Sequence, residues 1–382
     1  MENETKSQLD ELRQQINGTD RELMRLFEQR MDLSRAVGEY KKKNGLPVLD
    51  KTREADVIRS RRDWMENPQY ADGAQRLMEC IMSISRDLQN EVVPRTDAPV
   101  SYAPIPKPRV VYSGVPGCYA EEAAKQYFRE AGTITCTSSF EEVFRTLQRG
   151  EADYGVVPVE NTSTGAIDDV LDLLSGSGLY IAGETVLEIH HCLLGTQDAE
   201  LSDIREVYSH SQGLAQSSEF LKTLPDVRQI PYYNTAVAAK FVSDQQDRCK
   251  AAVASKHAAE LYSLKVLAED INYRAGNSTR FAVIGRRLEI SERADTVSIA
   301  FTLAHESGTL YRALSQFAAA GLNLLHIESR PLADKNFEYR FFVDFSGNLS
   351  EARVRDTLDK VRGECISLTV LGNFEAASRR RG

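Results

Sequence analysis

Five of the twelve prolines in this 382-residue chain fall in one short stretch, "PRTDAPVSYAPIPKP", residues 94–108. Each proline removes a backbone donor and fixes φ, so neither a helix interior nor a central strand tolerates the run. The stretch therefore predicts an extended linker over 94–108 and divides the chain into regions that must fold on different plans. Everything before it carries helical periodicity. The residues after it alternate between strand-like and helix-like segments.

In the first region, 1–93, apolar residues recur at Leu9, Leu12, Ile16, Leu23, Phe27, Val37 and Tyr40. This three-and-four spacing predicts one amphipathic helix to about Lys43, roughly 50 Å long at 1.5 Å per residue. "NGLP" ends it, "DKTREADVIRSRRDWM" starts a second helix and "ADGAQRLMECIMSISRDLQNEVV" a third. Three helices of such unequal length cover one another's apolar faces poorly, which predicts an intertwined dimer.

The second region, 109–290, reads as strands at "RVVYSGV", "TITCTSS", "DYGVVPVE", "LEIHHCLLG", "EVYSH", "VRQIPYY", "CKAAVAS" and "RFAVIG", with helices between them. That order predicts an α/β domain with a mostly parallel sheet, divided between two lobes. The third, 296–373, reads βαββαβ, the ferredoxin-like α+β order, and 374–382 reads as a disordered tail.

Composition narrows the function classes. A formal net charge of -9 argues against nucleic acid or an anionic membrane as the main partner. The polar, acidic N-terminal segment and the lack of a long apolar run predict a cytoplasmic protein. The six cysteines are scattered without CxxC or zinc spacing, so free thiols and no structural metal are expected.

Two groups of residues carry chemistry. On the first helix Arg30 and Lys41 stand three turns apart on one face, whereas Arg13 points roughly 100° away and can join them only from another subunit. Asp50, Arg53 and Glu54 stand near the start of the second helix, and Ser85 and Gln89 at i, i+4 on the third. Singly, each reads as a solvated helix-surface group. Together, the eight resemble the all-helical chorismate mutases in type and spacing. The resemblance implies that Arg13 of a partner chain, Arg30 and Arg53 hold substrate carboxylates with Ser85. It further implies that Lys41 and Gln89 donate to the ether oxygen, while Asp50 and Glu54 take the ring hydroxyl. The rearrangement is pericyclic, so positioning and charge stabilisation suffice.

In the second region, "VVYSGVPGCYAEEAA", "GVVPVENTSTGAI", "EVYSHSQGLAQSSEF" and "PYYNTAVAAKF" repeat one pattern: an apolar strand, hydroxyls, amides or glycines, then a helix. Such turns gather exposed helix N-termini into an anion site, although capping alone explains any one of them. With "NSTRF" at 277–281 they are similar to prephenate dehydratase. The resemblance implies Thr279 as hydrogen-bond donor to the departing oxygen, with Glu160 as an alternative proton source. Asn161, Thr162, Ser163, Ser209, His210, Gln212, Asn234, Thr235 and Arg280 are expected around the substrate. His190 and His191 read as core or strand-face residues, and His210 as either a cleft residue or a cap. Cys118-Tyr119-Ala120 stands where the family often has hydroxyls, which leaves arogenate open as the substrate.

"GTLY" at 308–311 and "ESRP" at 328–331 make the third region similar to the ACT regulatory domain of the same family. The resemblance implies a phenylalanine site from Gly308, Thr309, Leu310 and Tyr311, facing Asn323, Glu328, Ser329 and Arg330. Thr309 departs from the family's usual alanine. Across the three regions the chain resembles the bifunctional chorismate mutase/prephenate dehydratases, which implies no cofactor, the substrates chorismate and prephenate, and a homodimer or larger homo-oligomer. A binding protein that senses an amino acid without catalysis is the competing class, and the cationic helical pocket counts against it.

Overall fold

A computed structural model of the chain describes residues 2–44, 51–62, 64–92, 103–273, 276–332 and 338–377. It forms two compact units, Met1–Ala98 and Pro99–Gly382.

The first unit is all helix: α1 (Glu2–Asn44), α2 (Lys51–Arg62) and α3 (Ala71–Val92). At 43 residues, α1 is about 65 Å long, since each residue adds 1.5 Å. It meets α3 closely at Gly38, where an added Cβ would lie 3.0 Å from the Gln89 Cα. Ser34, Met82, Ser85 and Gln89 are buried around that approach. Further toward the N-terminus the predicted apolar stripe lies open, with Leu9, Leu12 and Ile16 47%, 51% and 58% exposed. The segment 45–50 that links α1 to α2 lies outside the described residues.

In the second unit the larger sheet runs in the order Leu324–Pro331, Tyr339–Ser346, Thr296–Thr302, Ser367–Phe374, Tyr180–Glu188, Ser278–Gly285, Tyr154–Asn161, Arg109–Ser113, Thr133–Thr137. A separate sheet orders Lys265–Ala268, Cys192–Gly195, Lys250–Ala254, Glu206–Ser209, Arg228–Pro231. The predicted two lobes are present, but the sheets are mixed and not mostly parallel. Arg109–Ser113 and Glu206–Ser209 run parallel to both neighbours, whereas Ser278–Gly285 and Cys192–Gly195 run antiparallel to both. The reason lies in connectivity. Helical crossovers within a lobe enforce parallel neighbours, while the strands that carry the chain between lobes are free of that constraint.

The first crossing between lobes corrects another expectation. "LEIHHCLLG" is not one strand: Tyr180–Glu188 ends in the larger sheet and Cys192–Gly195 begins in the smaller one. Residues 189–191 bridge them, beside the returning segment: Asn272 accepts the His191 N–H at 2.7 Å and donates to the Ile189 carbonyl at 2.9 Å.

The βαββαβ order from Thr296 to Phe374 is present. Its sheet continues directly into the neighbouring one at Gly372, paired with Ile181. A Cβ on Gly372 would stand 2.2 Å from the Ile181 carbonyl oxygen, so the joint requires glycine. The expected tail is ordered further than 374: Phe374 is buried, Ala376 N–H donates to Asp295 and Ala377 N–H to Glu184, with 378–382 outside the described residues. Within the expected linker, Ile105 N–H donates to the Tyr154 hydroxyl at 3.0 Å, so its C-terminal end packs on the second unit. Among the described residues no helix is long and apolar enough to cross a membrane.

Candidate active sites

The helical unit brings part of its predicted constellation together. An Arg30 Nη1–H donates to the Ser85 hydroxyl and, at 3.4 Å, to the Ile81 carbonyl, and Ser85 in turn donates to that carbonyl at 2.8 Å. Burial lowers the Arg30 pKa and the nearby Arg61 charge lowers it further, so two cations share this end of the unit. Arg61, stacked 4.0 Å over the Trp64 ring, was not singled out in the sequence. One turn beyond Ser85, the buried Gln89 has an Oε1 without a hydrogen-bond partner. Lys41 is half-buried and Arg53 exposed. Arg13 is exposed and pairs with Asp10 at 3.3 Å. Asp50 and the side chain of Glu54 lie outside the described residues.

Between the two lobes of the second unit lies a cleft of about 560 Å³. Asn161, Thr279, His210, Gln212, Asn234 and Thr235 line it, as the sequence reading expected. It also collects Cys118 to Ala120 and Ser138 to Glu141, so the N-termini of four helices (Tyr119–Tyr127, Phe140–Gln148, Ser211–Gln216, Thr235–Gln245) open at its wall. Ser139, His210 and Asn234 cap three of them, accepting from Glu142, Gln212 and Ala236 N–H groups. His210 thus fills both roles left open for it. No lysine or arginine is among the lining residues, and the acids there are Glu141 and Asp169. The groups there that can meet an anion are helix ends and neutral donors.

On the cleft floor the Asn161 amide Nδ2–H donates to the Thr279 Oγ1 at 2.9 Å and to the Asn277 Oδ1 at 3.0 Å. Thr279 and Asn161 are register partners on adjacent antiparallel strands, which fixes their approach. The Gln212 side chain donates to Thr164 at 3.2 Å, one lobe touching the other across the cleft lip.

Several expected site residues point elsewhere. Glu160 and Arg280 also pair in register, one position along, and strand alternation sends them to the opposite face. There Arg280 meets Glu160 at 3.2 Å, Glu184 at 3.4 Å and Asp344 at 2.8 Å. Burial would lower the Arg280 pKa, but the Asp344 and Glu184 carboxylates reverse this and hold its guanidinium charged. Thr162 is exposed, accepting from Ser278 N–H at 3.0 Å; Ser163 donates to Asn277; Ser209 is fully buried and donates to the Val253 carbonyl at 2.7 Å. None of these five lines the cleft. The histidines also depart from expectation. His190 is exposed between Glu188 and Asp270, which raises its pKa chiefly through the Asp270 hydrogen bond, whereas buried His191 lines the cleft. An apolar run read as one strand concealed the break that turns His191 inward.

In the third region, Thr309 and Leu310 line a hollow of about 180 Å³ with Leu303, His305, Glu338 and Tyr339. Gly308, with φ +82°, starts the helix, and Thr309 donates to the Ala304 and Glu306 carbonyls, while Tyr311 is exposed. Asn323, Glu328 and Ser329 are not among the hollow's lining residues. Arg330 turns away from it, pairing with Asp168 at 2.5 Å and Asp172 at 2.9 Å on helix Asp168–Ser177.

The family models for chorismate mutase type II and prephenate dehydratase match residues 12–90 and 110–289. A bifunctional chorismate mutase/prephenate dehydratase of Aquifex aeolicus is 34% identical over 379 residues, 97% of this chain and 98% of the relative. The chain belongs to this family. It carries two enzymes of the route to phenylalanine: a mutase that converts chorismate to prephenate and a dehydratase that acts on the product. Over 70% of the chain it is 38% identical to an arogenate dehydratase of Arabidopsis thaliana, of which it covers 67%. A solved prephenate dehydratase from Arthrobacter aurescens, in complex with L-Phe, is 29% identical and superposes with a TM-score of 0.65, covering 71% of this chain and 90% of that one.

Proposed function

We propose that the mutase works by charge and the dehydratase by oriented neutral donors. In the helical unit Arg30, Arg53 and Ser85 grip the carboxylates of chorismate, and Lys41 and Gln89 donate to the breaking ether oxygen. Asp50 and Glu54 take the ring hydroxyl. Arg13 completes the pocket from a second copy. The orphaned Gln89 Oε1 fits an amide held by its ligand, and the open stripe at Leu9, Leu12 and Ile16 fits an intertwined dimer. Mixing Arg13→Ala with Lys41→Ala tests this. Half the dimers formed at random are hybrids with one intact site, so mutase activity should recover to about a quarter of wild type. No recovery after subunit exchange would refute the shared pocket.

In the dehydratase, prephenate lies in the interlobe cleft with Asn161, Gln212, Asn234 and Thr235 around it and its carboxylates toward the helix ends. The observation that carries this reading is the Asn161 amide donating to Thr279 Oγ1. The oxygen accepts there and donates to no group among the described residues, so the threonine O–H hydrogen is free for the departing hydroxyl. Loss of water and carbon dioxide then yields an aromatic ring, and alignment supplies most of the catalysis. The test is kcat/KM for phenylpyruvate formation from prephenate in wild type and Thr279→Val, beside kcat/KM on arogenate. Arogenate remains a competing substrate because Cys118 and Ala120 place no hydroxyl in the cleft and Asp169 and Glu141 could receive its ammonium.

Domain boundaries fall at 1–93, 94–108, 109–290 and 296–373, the last a ferredoxin-like ACT domain that receives phenylalanine at the hollow beside Thr309 and Leu310. The L-Phe complex of the Arthrobacter aurescens relative supports that assignment. Binding there would slow dehydration through a coupling free energy of about 1–3 kcal/mol. Titration calorimetry that finds no phenylalanine binding would remove the effector role.

A further inference from the structure

A polar chain crosses the cleft floor, and its polarity can be worked out from one unambiguous donor. The Ser163 backbone N–H can only donate, and it donates to Asn161 Oδ1 at 2.9 Å. Asn161 Nδ2 must then face Asn277, whose Oδ1 accepts it at 3.0 Å. Asn277 Nδ2 therefore faces Gln216, whose Oε1 accepts at 3.2 Å. That same Gln216 oxygen lies 2.9 Å from His191 Nε2, so the ring nitrogen carries the hydrogen. A neutral ring then has a bare Nδ1, 2.9 Å from the Tyr119 hydroxyl, whose single hydrogen is shared between that nitrogen and the His190 carbonyl 3.0 Å away. From Ser163 to His191 Nε2 nothing along this chain can be flipped without setting two donors or two acceptors against each other.

The chain leaves two donor groups unused. One is the Thr279 O–H. The other is the amide of Gln216, whose Nε2 is buried without a partner on a side chain only 7% exposed that lines the cleft. We propose that His191 is a positioning residue for the dehydratase: its Nε2–H locks the Gln216 amide so that Nε2–H, and not Oε1, is offered to a carboxylate of the substrate. The Tyr119 hydroxyl supports that tautomer when its hydrogen turns to His191 Nδ1 and not to the His190 carbonyl. Burial lowers the pKa of His191 and raises that of Tyr119, which keeps the ring neutral and the hydroxyl protonated. Without His191 the Gln216 Oε1 is held by Asn277 alone, and the amide rotates more readily to present an oxygen to an anion. His191 comes from the first interlobe segment and Asn277 from the end of the second, so this donor is set where the lobes join.

The inference rests on the cleft being the dehydratase site, and the test separates the two. In the full chain, KM and kcat for prephenate are measured in His191→Asn, His191→Gln, Tyr119→Phe and Thr279→Val, with mutase activity alongside. Gln can place an N–H near the Nε2 position; Asn is too short. His191→Asn should raise KM about ten-fold, the worth of one charge-assisted hydrogen bond, with kcat changed less. His191→Gln should restore KM to within about three-fold of wild type, and Tyr119→Phe should fall between them, because it loosens the tautomer without removing the donor. A merely structural role would reduce the folded fraction and hence apparent kcat, and would leave KM unmoved. Equal KM values in His191→Asn and His191→Gln overturn the proposal, as does a wild-type KM in His191→Asn while Thr279→Val is inactive. Full turnover in Thr279→Val would instead bring down the reading of the cleft itself.

Discussion

The two units of this chain handle consecutive dicarboxylate metabolites, and they do it with opposite chemistry. The helical unit places Arg30 against Ser85 with Arg61 close enough to depress its pKa, so under the proposed function the anion is met by full charges. The interlobe cleft has no lysine or arginine among its lining residues and presents helix N-termini, amides and hydroxyls. Fold explains the choice. Helices packed side by side offer only side chains to a ligand, because their backbone N–H groups are spent within the helix. A two-lobed α/β unit brings several helix ends to one cleft, where free backbone donors and their caps serve instead. Full charges also suit a reaction whose developing charge must be stabilised, whereas a reaction driven by aromatisation chiefly needs alignment.

This contrast can be attacked at several points. The largest effect is expected at Arg280, the arginine nearest the dehydratase cleft in sequence yet turned to the other face. Arg280→Met should destabilise the second unit by about 3–5 kcal/mol, because buried Glu184 and Asp344 lose their partner, with little change in prephenate KM of the folded enzyme. Urea unfolding and steady-state kinetics read the two quantities; a large KM rise at unchanged stability would place a charge in the cleft chemistry after all. Next, Lys41→Ala should lower mutase kcat by roughly 10²–10³ with a far smaller rise in KM, the pattern for a donor used in the transition state. Unchanged turnover removes Lys41 from that role. Arg30→Lys keeps the charge but loses the fork, and should cost about ten-fold in mutase kcat/KM. Smallest is the response to salt. Raising ionic strength from about 0.05 to 0.5 M should weaken mutase KM by roughly two- to three-fold more than dehydratase KM, since screening acts on charges more than on local dipoles. Equal responses would blur the distinction between the two units.

What could be read from the sequence divided along the same line. Helix periodicity announced α1 to α3, and strand–turn–helix repeats announced a cleft at the turns that hold Asn161 and Asn234, because both signals are local; Thr279 entered through the resemblance of "NSTRF" to prephenate dehydratase. Connectivity was harder. The mixed sheets and the break inside "LEIHHCLLG" depend on which lobe each strand joins, and apolar runs look alike in either. The resemblance implies Glu160 and Arg280 in the cleft, yet each adjoins an inward residue, Asn161 or Thr279, and strand alternation argues against both. Gln216 and His191 carried no motif of their own, and only the chain of hydrogen bonds from Ser163 gives them a task. Arg330 sits in the "ESRP" signature, yet its partners Asp168 and Asp172 are some 160 residues away.

The central claim is that one chain carries two independent sites, one charged and one neutral. It is tested most directly by feeding chorismate to Thr279→Val and prephenate to Lys41→Ala, both as full-length protein, and tracking each substrate and product over time. Thr279→Val should consume chorismate at the wild-type rate and accumulate prephenate, while Lys41→Ala should turn prephenate into phenylpyruvate at the wild-type rate. Phenylpyruvate appearing at full rate from Thr279→Val, or loss of both activities in either variant, would contradict it.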